Sequence, residues 1–128
     1  MIVGIGTDLL ERARMEEMYK KFGEKLATKM LSTEELNEFK ILKKEHIGFI
    51  AKRFSVKEAF SKAIGLGIGR GIDLKDITII HNEIGQPFIK LNDKANNFLF
   101  KRYGGKINIH ISMTDERSII NAVAIIEI

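Results

Sequence analysis

Ile2, Val3 and Ile5 precede the turn-prone Gly6-Thr7-Asp8, a pattern that predicts a short buried strand over MIVGIG. From Glu11 the apolar spacing becomes helical, with Met15, Met18 and Phe22 recurring and Gly23 as a natural stop. Ser32-Thr33-Glu34-Glu35 has the S-x-x-E form of a capping box, in which side chain and backbone satisfy each other's free groups, so another helix is predicted there. A long helix follows over about His46 to Ile64. DITIIHNEIGQPFIKL reads as a hairpin turning near Asn82 to Gln86, where Gly85 supplies conformational freedom. Asn92 or Asp93 caps a helix packed through Ala95, Phe98 and Leu99 and ended by Gly104. The last segment, KINIHISMTDERSIINAVAIIEI, offers two β-branched strands around a polar turn at Thr114 to Arg117. The expected class is α+β, with a mainly antiparallel sheet packed against a long central helix and shorter helices. With a single Pro, no linker and no repeat, residues 1–128 read as one domain.

The long helix carries the candidate chemistry. Ile47, Ile50, Ala51 and Phe54 form an apolar row that continues into Glu58, Ser61 and Lys62, while Phe49, Val56, Ala59, Phe60 and Ala63 occupy the opposite side. Apolar on two sides, the helix is expected at the centre of the fold, with Glu58 aimed inward or into a cleft. One reading makes Glu58 and Lys62 an ordinary i, i+4 pair on a solvated face. The other makes Glu58 part of a site, because a carboxylate continuing an apolar row needs a partner, ligand or metal to offset its desolvation. Asp8 has two readings as well, as a helix N-cap shared with Thr7 or as a second functional carboxylate. The alternating glycines at 65, 67, 69 and 71 fit neither a dinucleotide fingerprint nor a phosphate loop, since they follow a helix where both motifs need a strand. What they provide is a side-chain-free segment containing Arg70, where amides can approach an anion. His46 and His81 are expected to be solvated. His110 shares one strand face with Asn108, Ser112 and Thr114, which either presents donors to a ligand or forms the wet side of a sheet.

Composition narrows the classes. The absence of cysteine excludes disulfides, thiolate nucleophiles and Cys-ligated zinc, and suits a reducing compartment. An Asp interrupts the first apolar stretch and no run approaches a membrane span, so a cytoplasmic protein without a membrane partner is expected. A net charge of +4 favours acidic or phosphorylated partners. A nucleic-acid module would need aromatics on its sheet, and INIHISM and INAVAII carry none. A non-catalytic domain that binds acidic proteins through its first helix would leave Asp8 and Glu58 dispensable.

Gly4-Ile5-Gly6-Thr7-Asp8, Arg53-Phe-Ser-Val-Lys57-Glu58-Ala-Phe-Ser-Lys62-Ala, Gly67-Ile-Gly69, Gly85-Gln-Pro87 and His110-Ile-Ser112 together resemble the holo-(acyl-carrier-protein) synthases, small bacterial 4'-phosphopantetheinyl transferases. The likeness spans nearly the whole chain, and its two specific signatures stand about 45 residues apart. It implies transfer of the phosphopantetheine arm from coenzyme A to a serine of apo acyl carrier protein, with release of adenosine 3',5'-bisphosphate, in support of fatty acid biosynthesis. It further implies that Asp8 and Glu58 bind Mg²⁺, a hard cation suited to oxygen ligands. Position 10 is Leu10, so the third acidic ligand of the larger surfactin-type relatives is missing. Lys62 corresponds to a coenzyme A-contacting catalytic lysine. Arg53, Ser61, Gly65, His110 and Ser112 correspond to residues around the nucleotide, and Gly85 and Pro87 to the turn bordering the adenine. The general base is Glu58 itself or a metal-bound water that it orients, and Lys57 is a salt-bridge partner, a solvated neighbour or a phosphate contact. Arg14, with Lys20, Lys21 and Lys25 nearby, corresponds to the surface that docks the acidic carrier protein. A homotrimer with sites between subunits is also implied.

Overall fold

The computed structural model describes every residue, Met1–Ile128. In chain order it contains β1 (Ile2–Glu11), α1 (Arg12–Phe22), α2 (Glu24–Met30), α3 (Thr33–Ile41), α4 (His46–Ala63), β2 (Ile77–His81), β3 (Pro87–Leu91), α5 (Asp93–Tyr103), β4 (Asn108–Glu116) and β5 (Ile119–Glu127), with one 3₁₀ turn at Leu74–Asp76. The strands form a three-stranded sheet in the order β1-β5-β4 and a separate pair, β2-β3. All pairings are antiparallel, as the α+β expectation required, but they are divided between two sheets.

α4 lies across the inner face of the larger sheet and joins two halves of one core. Its Val56, Ala59, Phe60 and Ala63 pack with Ile77 and Ile79 of β2, Leu99 of α5 and Ala122, Ala124 and Ile126 of β5. Its Ile50 and Ala51 pack with Met15, Leu26, Met30 and Phe39 from α1 to α3. Each large apolar side chain so buried contributes about 1.5–3 kcal/mol, which makes α4 the main organiser of the fold.

Local signals account for many of the boundaries. Ser32 Oγ accepts from the Glu35 amide and the Glu35 carboxylate accepts from the Ser32 amide, completing the capping box. Asn92 Oδ1 accepts from the Ala95 amide to start α5, and Gly104, at φ +71°, ends it. In the β2-β3 turn, Asn82 Oδ1 accepts from the amides of Ile84 and Gln86, and Gly85 takes φ +82°.

Other expectations are corrected. β1 runs straight through Gly6-Thr7-Asp8, pairing with β5 as far as Glu11, so these residues do not turn the chain. Nor do Thr7 and Asp8 cap α1, which starts at Arg12 behind Glu11 with no side-chain cap. β1 is not a buried strand either, because Ile5 and Leu9 on its outer face are 62% and 65% exposed. The two early glycines serve packing. A Cβ at Gly4 would stand 2.0 Å from the Ala63 carbonyl oxygen, and one at Gly6 would stand 2.0 Å from that of Ala59. The strand therefore lies directly against the helix backbone at positions where only hydrogen fits.

α2 was not anticipated, since its seven residues are too few to show a helical period and bury only Leu26, Ala27 and Met30. The last turn is later and tighter than expected, with β4 continuing through Thr114 and Asp115 to Glu116. His46 is half-buried, its ring edge-on to Phe39 at 5.0 Å, instead of being solvated. No helix is long and apolar enough to cross a membrane.

Candidate active site

Close contact at Gly4 and Gly6 sets the height at which the next inward residue of β1, Asp8, meets α4. Asp8 Oδ2 accepts a hydrogen bond from Ser55 Oγ at 3.0 Å, and Oδ1 accepts from Lys62 Nζ at 3.0 Å. Lys62 also donates to the Thr7 carbonyl at 2.9 Å. The lysine that sequence spacing offered as the i, i+4 partner of Glu58 is therefore committed to Asp8. Glu58 is half-buried on the same face of α4, between Ser55 and Lys62. Burial first, and the negative charge of Asp8 second, push its carboxyl above the ordinary carboxylate value, while Lys62 pulls the other way. Two carboxylates thus face one another with a single ammonium between the chain segments that carry them.

This arrangement can hold a divalent cation. No three His, Cys, Asp or Glu side chains gather anywhere in the chain, so the protein offers two carboxylates and leaves the remaining positions to water or substrate. Such a donor set is hard and incomplete, which suits Mg²⁺ shared with a phosphorylated ligand. The mutual repulsion of Asp8 and Glu58 is the unfavourable interaction that a bound cation would relieve.

Behind Glu58, the neighbouring lysine does something quite different. Lys57 is fully buried and donates to the carbonyls of Met30 and Leu74, at 2.9 and 3.0 Å, and to Glu35 Oε1. Of the three roles open to it from sequence, it takes that of salt-bridge partner. Glu35, read from sequence only as half of a capping box, also accepts from the Ile79 amide at 2.9 Å. This cluster fastens α4 to α3, to the end of α2 and to the middle of β2. It thereby fixes the rotation of the helix that presents Glu58 and Lys62.

The other anticipated residues are scattered within one chain. Arg53 is nearly buried, its guanidinium 3.4 Å over the Phe49 ring and 3.5 Å from Glu38 of α3, away from Asp8. Ser61 is buried and turns its hydroxyl to the Glu58 carbonyl at 2.8 Å. Gly65, at φ +75°, follows directly after α4. Gly85 and Pro87 sit on the β2-β3 hairpin, in the other sheet. His110 and Ser112 lie on the outer face of β4, with His110 paired to Glu127 at 3.0 Å. Asp8 is on the inner face of that same sheet, so it and His110 cannot touch one ligand within a single chain. Arg14, Lys20, Lys21 and Lys25 are exposed along α1 and α2 and enter no ion pair.

Ser55 was missed altogether. A serine on a mainly apolar helix carries no sequence signal of its own, and only the approach of β1 reveals its partner.

The arrangement has close counterparts among known proteins. The family model for the 4'-phosphopantetheinyl transferase superfamily matches residues 4–119. The chain is 40% identical over 126 residues to the holo-[acyl-carrier-protein] synthase of Hamiltonella defensa, covering 98% of each. It belongs to that family. Among solved structures, the holo-[acyl-carrier-protein] synthase of Neisseria meningitidis is 35% identical and superposes with a TM-score of 0.92 over 100% of both chains. The corresponding protein of Bacillus anthracis, in complex with coenzyme A (3',5'-ADP), is 33% identical with a TM-score of 0.79, covering 99% of this chain and 97% of its own. The resemblance seen in the motifs therefore extends to the whole fold, and the family is one of transferases acting on phosphopantetheine.

Proposed function

We propose that residues 1–128 form one Mg²⁺-dependent transferase domain. It moves the 4'-phosphopantetheine group from coenzyme A to a serine of apo acyl carrier protein and releases adenosine 3',5'-bisphosphate, in service of fatty acid biosynthesis. The observation that carries this reading is the convergence of Asp8, Glu58 and Lys62 where β1 crosses α4. In the reaction the serine oxygen bonds to the phosphorus that carries the pantetheine arm, and the anhydride bond to the nucleotide phosphate breaks. Asp8 and Glu58 would hold Mg²⁺, which when bound neutralises charge on the diphosphate. Glu58 takes the proton of the serine hydroxyl. Lys62, whose side chain is 52% exposed, swings from Asp8 to a phosphate oxygen and stabilises charge as the anhydride opens. Arg14, Lys21 and Lys25 supply an unpaired cationic face to steer an acidic carrier protein. A chain without cysteine suits the reducing cytoplasm.

Incubating purified apo carrier protein with this chain, coenzyme A and Mg²⁺ should add the mass of one phosphopantetheine arm per carrier, read by mass spectrometry. No mass gain with a folded enzyme and a competent carrier would overturn the assignment.

The proposal includes a homotrimer, supported by two observations. Val3, Ile5 and Leu9 of β1 are exposed on the outer face of the sheet, where Ile5 is paired with Ile125 and Thr7 with Val123, forming an apolar surface of the kind that marks an interface. Moreover His110 and Ser112 lie on the sheet face opposite Asp8, so the nucleotide contacts that the family resemblance implies for them would require another subunit to bring them there. Light scattering on the eluting protein is expected to give three chain masses, and a monodisperse monomer that is fully active would refute it.

A further inference from the structure

Ser55 stands in the interior of α4 on the same face as Glu58 and Lys62, and it is fully buried. A serine hydroxyl inside a helix can satisfy itself on the carbonyl one turn back. Here it donates to Asp8 Oδ2, on a residue 47 positions away in sequence. The two oxygens of Asp8 are therefore held by unlike partners. Oδ2 is bonded to a donor locked in the helix interior, whereas Oδ1 is bonded to Lys62, a long side chain that is 52% exposed and free to leave. Oδ1 is thus the oxygen most readily handed over to another cation, because Lys62 can leave it while Ser55 stays on Oδ2 and fixes the orientation of the carboxylate.

We propose that Ser55 is a positioning residue that restricts Asp8 to one-oxygen coordination and so biases the site toward a small divalent cation, Mg²⁺, over Ca²⁺. The inference rests on the reading of Asp8 and Glu58 as metal ligands. Mg²⁺ keeps a tight octahedral shell and takes carboxylates through single oxygens, while Ca²⁺ accepts more ligands at longer range and readily takes a carboxylate through both. A hydroxyl bound to Oδ2 takes one of its lone pairs and pins the plane of the carboxylate, which disfavours coordination through both oxygens. Hydrogen bonds from outer residues to ligating groups also orient them, and their loss typically weakens metal affinity by about 10- to 100-fold.

The test is Mn²⁺ binding followed by electron paramagnetic resonance, with coenzyme A present and no carrier protein, then competition by Mg²⁺ and by Ca²⁺. Ser55→Ala is expected to raise the Mn²⁺ Kd by about 10-fold or more and to lower the preference for Mg²⁺ over Ca²⁺, since the freed Oδ2 can join Oδ1 on the larger ion. Ser55→Cys, similar in size but a weaker donor, should fall between the two proteins. Melting curves in EDTA confirm that both variants fold. An unchanged Mg²⁺-to-Ca²⁺ preference in both variants overturns the inference, whatever happens to affinity. Asp8→Asn separates the two levels: if it abolishes Mn²⁺ binding while Ser55→Ala leaves binding and preference intact, only the role of Ser55 falls. If Asp8→Asn binds Mn²⁺ as well as the natural protein, the metal reading falls with it.

Discussion

Glu58→Gln is expected to lower kcat for phosphopantetheine transfer by about 100-fold to 10,000-fold, the range for loss of a positioned general base. The substitution keeps the shape of the side chain but, in the proposed mechanism, would remove both the proton acceptor and one of the two negative metal ligands. Melting of the metal-free protein provides a second readout with the opposite sign. Burial and the Asp8 charge raise the Glu58 carboxyl in the folded chain, so the folded state binds that proton more tightly than the unfolded state does. Stability is therefore lost as pH rises from the ordinary carboxylate range, about pH 4, through the raised folded value, and the loss is complete above it. Gln has no such proton to lose. In EDTA, Glu58→Gln should melt above the natural protein at pH 8, and the difference should shrink toward pH 4. Undiminished turnover would remove Glu58 from the chemistry, and a pH-independent difference in melting would contradict the electrostatic account of the site.

Lys57→Met is expected to destabilise the fold by about 3–5 kcal/mol, because it breaks a fully buried ion pair and leaves Glu35 with Arg53, at 3.7 Å, as its one remaining cation. That is a large fraction of the roughly 5–15 kcal/mol that holds a domain of this size together. Both Lys57 and Glu35 are fully buried, so solvent cannot take over for either partner. Exchanging Glu35 for Gln as well should recover only part of the loss. The double variant removes the under-compensated buried charge, but the carbonyls of Met30 and Leu74 still lack the donor that Lys57 supplied. Chemical denaturation measures both variants. A single variant within about 0.5 kcal/mol of the natural protein, the range of ordinary surface changes, would mean that the ion pair does not hold α4 in place.

Lys57 and Glu58 show how unevenly a sequence discloses its chemistry. Adjacent on α4, they face different surroundings, one an interior cage and the other the half-buried crossing with β1 near Asp8. The helical projection could mark Glu58 as a carboxylate on an apolar row, but it could not choose among partners. It offered Lys62, four residues on, and the fold instead gave Lys62 to Asp8, 54 positions back. Glu35 was legible as a cap because a capping box is complete within four residues. Its larger role as the acceptor for Lys57 and for the Ile79 amide depends on elements that are remote in sequence.

What the amino-acid order determined alone is whatever closes within a turn or two of chain. This includes the box at Ser32, the Asn92 cap, the Gly23 and Gly104 stops, the Asn82–Gln86 turn and the alternation along β4 and β5, all set by neighbouring backbone groups and side-chain direction. Only the tertiary structure decided that Gly4 and Gly6 are contact points and not turns, that Asp8 meets Ser55 and Lys62, and that His110 lies on the other side of the sheet from Asp8. Those facts depend on how closely and at what height a strand is laid against a helix some 50 residues away. That height follows from the packing of the whole core, and no local periodicity encodes it.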